Sequence, residues 1–198
     1  MLRAQVKVGG PTALVEEPLD RRVVASVLVP VLNEERHIGD AVTAMRRQRF
    51  DGELEFIFVD GRSTDRTRQL LTELQKEDDR VRILDNPTGR TPAALNIALR
   101  EARGDFIVRM DAHTLYPPDY VARGVERLQR GDADWVSGFQ VPVAVEAGSR
   151  RTVLALGTWL GRGGSQKWSS RVADGSVPTG EEIELDTGVF AGIWRRET

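Results

Sequence analysis

Residues 23–32 read VVASVLVPVL, an almost unbroken run of β-branched and aliphatic side chains. A strand covered on both faces has this pattern, because neither face meets water. Asn33-Glu34-Glu35 then opens a helical stretch to about Arg47, with Ile38, Val42 and Met45 at helical spacing. The same alternation follows twice more. Residues 53–60 (ELEFIFVD) predict a strand, Ser63 is a suitable N-cap, and a helix is expected from Thr64 to about Lys76. Residues 81–84 predict a short third strand, and Asn86-Pro87-Thr88-Gly89 is turn chemistry. Pro92 then suits the first turn of a helix over 93–102 that ends near Gly104. Residues 105–110 (DFIVRM) predict a fourth strand, 116–130 a helix begun at Pro117-Pro118, and 133–145 an extended segment. Strand and helix at short, regular intervals predict an α/β domain, a mostly parallel sheet flanked by helices.

The two ends of the chain differ from this middle. Residues 1–22 carry Gly9, Gly10, Pro11 and Pro18 among charges without sustained periodicity, so a leader or tail is expected there, with a short strand at 4–8. The organised domain is expected over 23–198. Residues 147–180 are Gly-rich and hold Arg150, Arg151, Arg162, Lys167 and Arg171 against the single acid Asp174. A strand-like run at 187–194 precedes Thr198 so closely that the domain is expected to be incomplete at its C-terminus, part of a longer protein.

Charge and composition narrow the function. Among 198 residues, Lys and Arg total 28 and Asp and Glu 30, a net charge of −2. Proteins that grip nucleic acid through its phosphates carry a basic excess, so nucleic acid is not an expected partner. Cysteine is absent, which removes disulfides, thiolate metal sites and thiol nucleophiles together. No apolar run approaches the roughly 18 residues of a spanning helix, and a cytoplasmic setting fits, with the inner membrane face as a second expectation. For that second expectation, Val153, Leu154, Leu156, Trp159 and Leu160 form one face of a short helix whose basic neighbours meet anionic lipid. The plainer alternative is an ordinary core-facing helix.

In a parallel α/β sheet, ligands collect at the carboxyl ends of the strands. The first strand ends without the Gly-x-Gly-x-x-Gly of dinucleotide-binding proteins, which argues against a nicotinamide enzyme. The second ends in Asp60, a carboxylate able to accept from a base N–H or ribose hydroxyls, or simply to cap a turn. The fourth ends in Asp111-Ala112-His113. In extended backbone, residues i and i+2 share a side, so Asp111 and His113 can present oxygen and nitrogen to one cation, the alternative being that Asp111 caps the following turn and His113 packs as a neutral, hydrogen-bonded ring. Carboxylate alone suits Mg2+, and an added imidazole favours Mn2+ or a softer ion.

Taken together, residues 26–35 (SVLVPVLNEE), 58–67 (FVDGRSTDRT), 86–102 with Asn96, and 104–119 (GDFIVRMDAHTLYPPD) resemble family-2 glycosyltransferases of the GT-A, Rossmann-like fold. The passage MDAHTLYPPDY resembles the bacterial subgroup that builds exopolysaccharides such as succinoglycan. The resemblance implies transfer of a sugar from a nucleotide-diphosphate sugar, commonly a UDP-sugar, to a glycan or lipid-linked acceptor hydroxyl, with inversion. It implies that Pro30 and Glu34 line the nucleotide pocket, that Asp60 binds the base, and that Arg90 and Asn96 lie beside the donor. Asp111 matches the first acid of the Asp-x-Asp motif, which meets the ribose and a diphosphate-bound Mn2+ or Mg2+. His113 replaces the second acid, and Gly61 replaces another acid common in the family. Asp186-Thr187-Gly188 and residues 192–197 resemble the segment flanking the acceptor.

Such a transfer needs the leaving diphosphate's charge stabilised and a general base for the acceptor hydroxyl. In relatives that base lies beyond the segment matching 192–197, so it is expected beyond Thr198, with Glu181, Glu182 and Asp186 as weaker candidates. Two rivals differ in class. One is a non-catalytic nucleotide-sugar or glycan-binding module. The other is a nucleotidyltransferase, whose Gly-rich basic loop after the first strand is missing from residues 30–35.

Overall fold

A computed structural model describes residues 23–138, 149–156 and 191–196. Among them the sheet has six strands in the order β3-β2-β1-β4-β6-β5. They are β1 (Val24–Val31), β2 (Glu53–Asp60), β3 (Val81–Asp85), β4 (Phe106–Arg109), β5 (Trp135–Val136) and β6 (Gly192–Arg195). The four strands β3, β2, β1 and β4 pair in parallel; β6 runs antiparallel to both β4 and β5. The helices are α1 (Ile38–Arg46), α2 (Thr67–Glu77), α3 (Thr91–Glu101), α4 (Tyr120–Gln129) and α5 (Ser149–Leu156).

Each side chain of β1 alternates between two cores, which accounts for its unbroken apolar run. Val27, Val29 and Val31 join Phe56, Phe58, Leu71 and Val108 beneath α1, α2 and α4. Leu28 joins Ile57, Val59, Ala94 and Ala98 beneath α3. Small alanines on α3 let that helix approach closely. Ser26, fully buried in β1, donates to Glu55 Oε1 at 2.5 Å and accepts the Gly104 amide at 2.8 Å, so its burial costs little.

Helix starts are where the sequence expectations need correcting. Ser63 does not cap α2, which begins at Thr67. Its hydroxyl is used instead on Asp60 and the loop after β1, and residues 64–66 form part of the same loop. Likewise α1 starts at Ile38, after a turn in which the Glu34 carbonyl accepts the His37 and Ile38 amides at 2.9 Å each. The segment after β4 is not extended through His113. Thr114 N–H returns to the Asp111 carbonyl at 3.1 Å, so residues 111–114 form a turn. Of the extended segment expected over 133–145, Trp135–Val136 is strand, and 139–145 lie outside the described residues. The expected leader over 1–22, with its short strand at 4–8, also lies outside them. So do the side chains of Leu156, Trp159 and Leu160, and Glu181, Glu182 and Asp186. No helix among the described residues is long and apolar enough to cross a membrane.

Candidate active site

The carboxyl ends of β2, β1 and β4 lie side by side, and the expected site residues cluster there. Register places Asp60 level with Val31. Arg109 pairs with Leu28, so Asp111, two residues on, is level with Pro30. Asp60 and Asp111 therefore flank β1 at nearly equal height, two strand spacings or about 10 Å apart. Alternation sends Asp60 toward the α2 side with Val31. Asp111 shares the opposite, α3-facing side with Arg109, whose Nε donates to Asp111 Oδ1 at 3.0 Å. A ligand touching both must lie across the strand ends. Pro30, half-buried on β1, points to the α3 side.

The loops after β1 and β2 are laced together. Asn33 N–H donates to Ser63 Oγ (3.0 Å), Glu34 N–H to Thr67 Oγ1 (2.8 Å) and Glu35 N–H to Asp65 Oδ2 (3.1 Å). In return Thr64 N–H donates to Asn33 Oδ1 (2.8 Å) and Arg66 N–H to Glu35 Oε2 (3.0 Å). Burial raises the Asp65 pKa, but the Thr67 hydroxyl and the Thr67 and Glu35 amides together hold it below the ordinary carboxylate range. Amides 33–35 are thus spent on side chains. A phosphate cannot be cradled at this helix entrance as it is in dinucleotide folds.

Asp60 is buried and well held. Ser63 donates to its Oδ1 twice, from the amide at 3.1 Å and the hydroxyl at 2.6 Å, and Arg68 approaches Oδ2 at 3.7 Å. Arg68 also donates to Asp85 Oδ1 at 2.6 Å. Asp60, Arg62, Arg68, Asp85 and Pro87 line a cleft of about 330 Å³ at the ends of β2 and β3. Arg62 adopts a left-handed backbone, φ 66°, and so does Asn33 at 55°. Such conformations are costly for side chains other than glycine and concentrate at functional sites. Gly61 sits between these loops: a Cβ there would come within 3.2 Å of Gly89 Cα and 3.3 Å of the Val31 carbonyl. The close backbone approach here suits a glycine.

Arg90 is exposed at the entrance to α3, and buried Asn86 sets its backbone. Asn86 Nδ2 donates to the Arg90 carbonyl at 2.9 Å, and Asn86 N–H donates to the Asp60 carbonyl at 2.8 Å. Asn96 is exposed further along α3, away from the two cores. On the β4 side, Asp111 N–H donates to the buried Tyr116 Oη at 2.9 Å; burial pushes that phenol's pKa well above its ordinary value. His113, exposed, places Nδ1 2.9 Å from Glu34 Oε1. The expected sharing of one side by Asp111 and His113 is therefore corrected. The turn sends Asp111 to Arg109 and His113 to Glu34.

Residues 26–192 match Glycosyl transferase family 2. The chain belongs to that family. It is 37% identical over 142 residues to the succinoglycan biosynthesis protein ExoA of Rhizobium meliloti, covering 71% of this chain and 43% of that protein. It is 30% identical over 184 residues to the undecaprenyl-phosphate 4-deoxy-4-formamido-L-arabinose transferase of Pseudomonas aeruginosa, 90% of this chain and 48% of that one. Among solved structures, the mannosyltransferase PcManGT of Pyrobaculum calidifontis, in complex with GDP-Man and Mn2+, is 28% identical with a TM-score of 0.54, covering 66% and 39% of the two chains. The chain spans less than half the length of these family-2 relatives. The GT-A fold expected from the sequence is the fold found.

Sequence reasoning placed Asp60, Glu34 and Asp111 at this edge but missed those that hold them: Ser63, Thr67, Arg68, Asp85, Asn86 and Tyr116. The two hydroxyl residues and Asn86 had visible signals, as a cap and turn residues. Nothing in the local pattern marked Tyr116 as the acceptor for Asp111.

Proposed function

We propose that this family-2 domain binds a nucleoside diphosphate-sugar across the ends of β2, β1 and β4 and takes part in sugar transfer to a polysaccharide or lipid-linked acceptor, with inversion. The observation that carries it is the placement of Asp60 and Asp111 level with each other on either side of β1. Asp60, oriented by Ser63, offers Oδ2 to a base N–H; Arg68 and Arg62 close the cleft around the base. Glu34 and Pro30 line the path along β1. Arg90, exposed at the start of α3, and Asn96 on that helix stand beside the donor.

A divalent ion at this site would have to come largely with the donor's phosphates. Among the described residues no three carboxylate or imidazole groups gather to hold a metal by themselves. A cation that takes most ligands from substrate phosphate needs only one or two from the protein; the Asp111 carboxylate, beside Arg109, is the group offered here, while His113 turns to Glu34. Bound there, Mn2+ or Mg2+ would act as a Lewis acid toward the leaving diphosphate. The chain's own residues orient the nucleotide, keep the sugar-bearing phosphate at the mouth and hold Asp111 through Arg109 and Tyr116.

The acceptor's general base is assigned to none of these carboxylates. Glu34, Asp60 and Asp111 are already engaged by His113, by Ser63 with Arg68, and by Arg109. Glu181, Glu182 and Asp186 lie outside the described residues; with the base implied by the family resemblance lying past 192–197, the reading expects donor binding by residues 1–198 with little or no transfer. For the acceptor, the undecaprenyl-phosphate named for the Pseudomonas relative favours a lipid-linked class. Arg150 and Arg151 on α5 are exposed, and Leu154 is 71% exposed, which suits contact with an anionic membrane surface. A panel of UDP- and GDP-sugars, screened with Mn2+ and Mg2+ for nucleoside diphosphate release and for binding, tests the proposal. Metal-dependent binding of one nucleotide class supports it, and indifference to every member overturns it. Robust transfer by residues 1–198 would place the base inside the chain.

A further inference from the structure

Arg109 is a cation set in the middle of the sheet. On β4 it is level with Leu28, below the carboxyl end of β1, yet its Nε reaches Asp111 Oδ1 at 3.0 Å. The side chain therefore runs along the α3-facing side of the strand toward the mouth, as strand side chains lean. Its neighbour on β6 is Gly192, where a Cβ would collide with Trp135 Nε1, so an indole walls that flank. The Arg109 and Asp111 side chains are 19% and 15% exposed. A guanidinium has five N–H donors, and Asp111 takes only the one on Nε. Among the described residues no other acceptor meets the Nη1–Nη2 fork. A mostly covered cation with its fork unmet is destabilising to hold, which asks for an anion from outside the fold.

We propose that Arg109 is a diphosphate-binding residue: Asp111 fixes its guanidinium through Nε, and the Nη1–Nη2 fork donates directly to oxygens of the donor's diphosphate, with no ion between them. The inference rests on the donor-binding reading above and deepens it. With the base at Asp60, about two strand spacings away, the phosphates arrive at the end of β4. The loop after β1 does not compete for them, because amides 33–35 are spent on Ser63, Thr67 and Asp65. Nor does His113, which faces Glu34. An Arg fork matches two oxygens of one phosphate, a geometry that an ammonium lacks. The pairing with Asp111 then has a purpose beyond stability: a carboxylate on Nε leaves the fork as the edge that is offered. An ion carried in by the phosphates adds to this contact instead of replacing it.

The test uses the whole 198-residue chain and follows calorimetric binding of uridine, UDP, guanosine and GDP, first with EDTA and then with Mn2+. Thermal melts check that each variant folds. With EDTA, wild type is expected to bind the diphosphate of its accepted base roughly tenfold or more above the nucleoside, the effect of one charge-assisted contact. Arg109→Gln keeps a donor for Asp111 and loses the charge. It should abolish most of that metal-free preference and leave nucleoside affinity nearly unchanged. Arg109→Lys should keep part of the preference, as a point charge without the fork. Raising salt should erode the wild-type preference and leave the Arg109→Gln values nearly flat. A preference that survives Arg109→Gln intact overturns the inference. So does a wild type that separates diphosphate from nucleoside only with Mn2+, or an equal loss of both affinities in Arg109→Gln, which would make Arg109 structural. Where Arg109→Gln fails to fold, Arg109→Lys decides: a preference equal to wild type contradicts a fork contact, and a partial loss supports it. Failure to bind any of the four ligands under either condition defeats the donor reading itself.

Discussion

The Ser63 hydroxyl lies 2.6 Å from Asp60 Oδ1 and at the same time accepts the Asn33 amide at 3.0 Å. One oxygen thus aims the carboxylate after β2 and ties down the loop after β1. Ser63→Ala removes both contacts: the exposed Asn33 amide can turn to water, but the buried Asp60 carboxylate loses one of its donors and keeps only the Ser63 amide on Oδ1. The expected cost is about 1–3 kcal/mol of stability, measured by urea unfolding. Nucleotide affinity should fall roughly tenfold, because about 1.4 kcal/mol of lost orientation is a factor of ten. An unchanged affinity would show that Asp60 does not meet the ligand.

Tyr116 fixes the backbone of Asp111, as Ser63 fixes the carboxylate of Asp60. Its buried phenol accepts the Asp111 amide at 2.9 Å. Tyr116→Phe keeps the ring and its packing against Tyr120, with centroids 4.9 Å apart, but leaves the amide unpaired. We expect a loss of about 1–3 kcal/mol in unfolding free energy. Metal-dependent nucleotide binding should weaken more than metal-free binding. Equal weakening of both would assign Tyr116 a purely structural role.

Arg62 holds a left-handed backbone at φ 66° while lining the cleft beside Asp60. Arg62→Gly relieves that conformation and should stabilise the fold by about 1 kcal/mol, offset in part by glycine's greater unfolded entropy. The same substitution removes a cation from the cleft and should weaken nucleotide binding. A rise in melting temperature with a fall in affinity is the expected pair of results. A fall in both would mean that the Arg62 side chain is needed for stability.

The gap between what was legible in the sequence and what was not follows the range of the interactions. Strands β1 to β4 and their helices could be read because each depends on a periodic run of apolar side chains, as in VVASVLVPVL. Asp60 and Asp111 could be placed because they end such runs. Helix starts were misread where a polar side chain serves a distant loop: Ser63 looks like a cap locally, yet its partners are Asp60 and Asn33. The extended reading of Asp111–His113 failed for a similar reason. Its side chains answer to Arg109 and to Glu34, the latter 79 positions away, and the backbone turns.

Acid should loosen the face of the molecule that carries α2. The Arg80 guanidinium, bonded to Asp78 at 2.8 and 2.9 Å, outweighs burial and holds the Asp78 carboxyl below its ordinary pKa of 3.8, with Arg46 assisting. Asp65 is also depressed, by Thr67 and Glu35, against the opposing effect of burial. A depressed folded pKa gives stability that is complete above the unfolded value and disappears as pH falls through the folded one. Urea midpoints should therefore hold steady from neutral pH to about 4 and drop below it. Asp78→Asn should be less stable at neutral pH and show a shallower acid limb. An acid limb unchanged in that variant would exclude Asp78 as its source.

The central claim is that Asp60 and Asp111 serve one nucleoside diphosphate lying across β1. It is tested most directly by calorimetric titration of Asp60→Ala, Asp111→Ala and wild type with a nucleoside, its monophosphate and its diphosphate, each with Mn2+. Asp60→Ala should weaken all three ligands alike. Asp111→Ala should weaken the nucleoside modestly, through the ribose, and the diphosphate by a further tenfold or more, a difference of about 1.4 kcal/mol. A diphosphate affinity that survives Asp111→Ala unchanged, or that responds to neither substitution, contradicts the account.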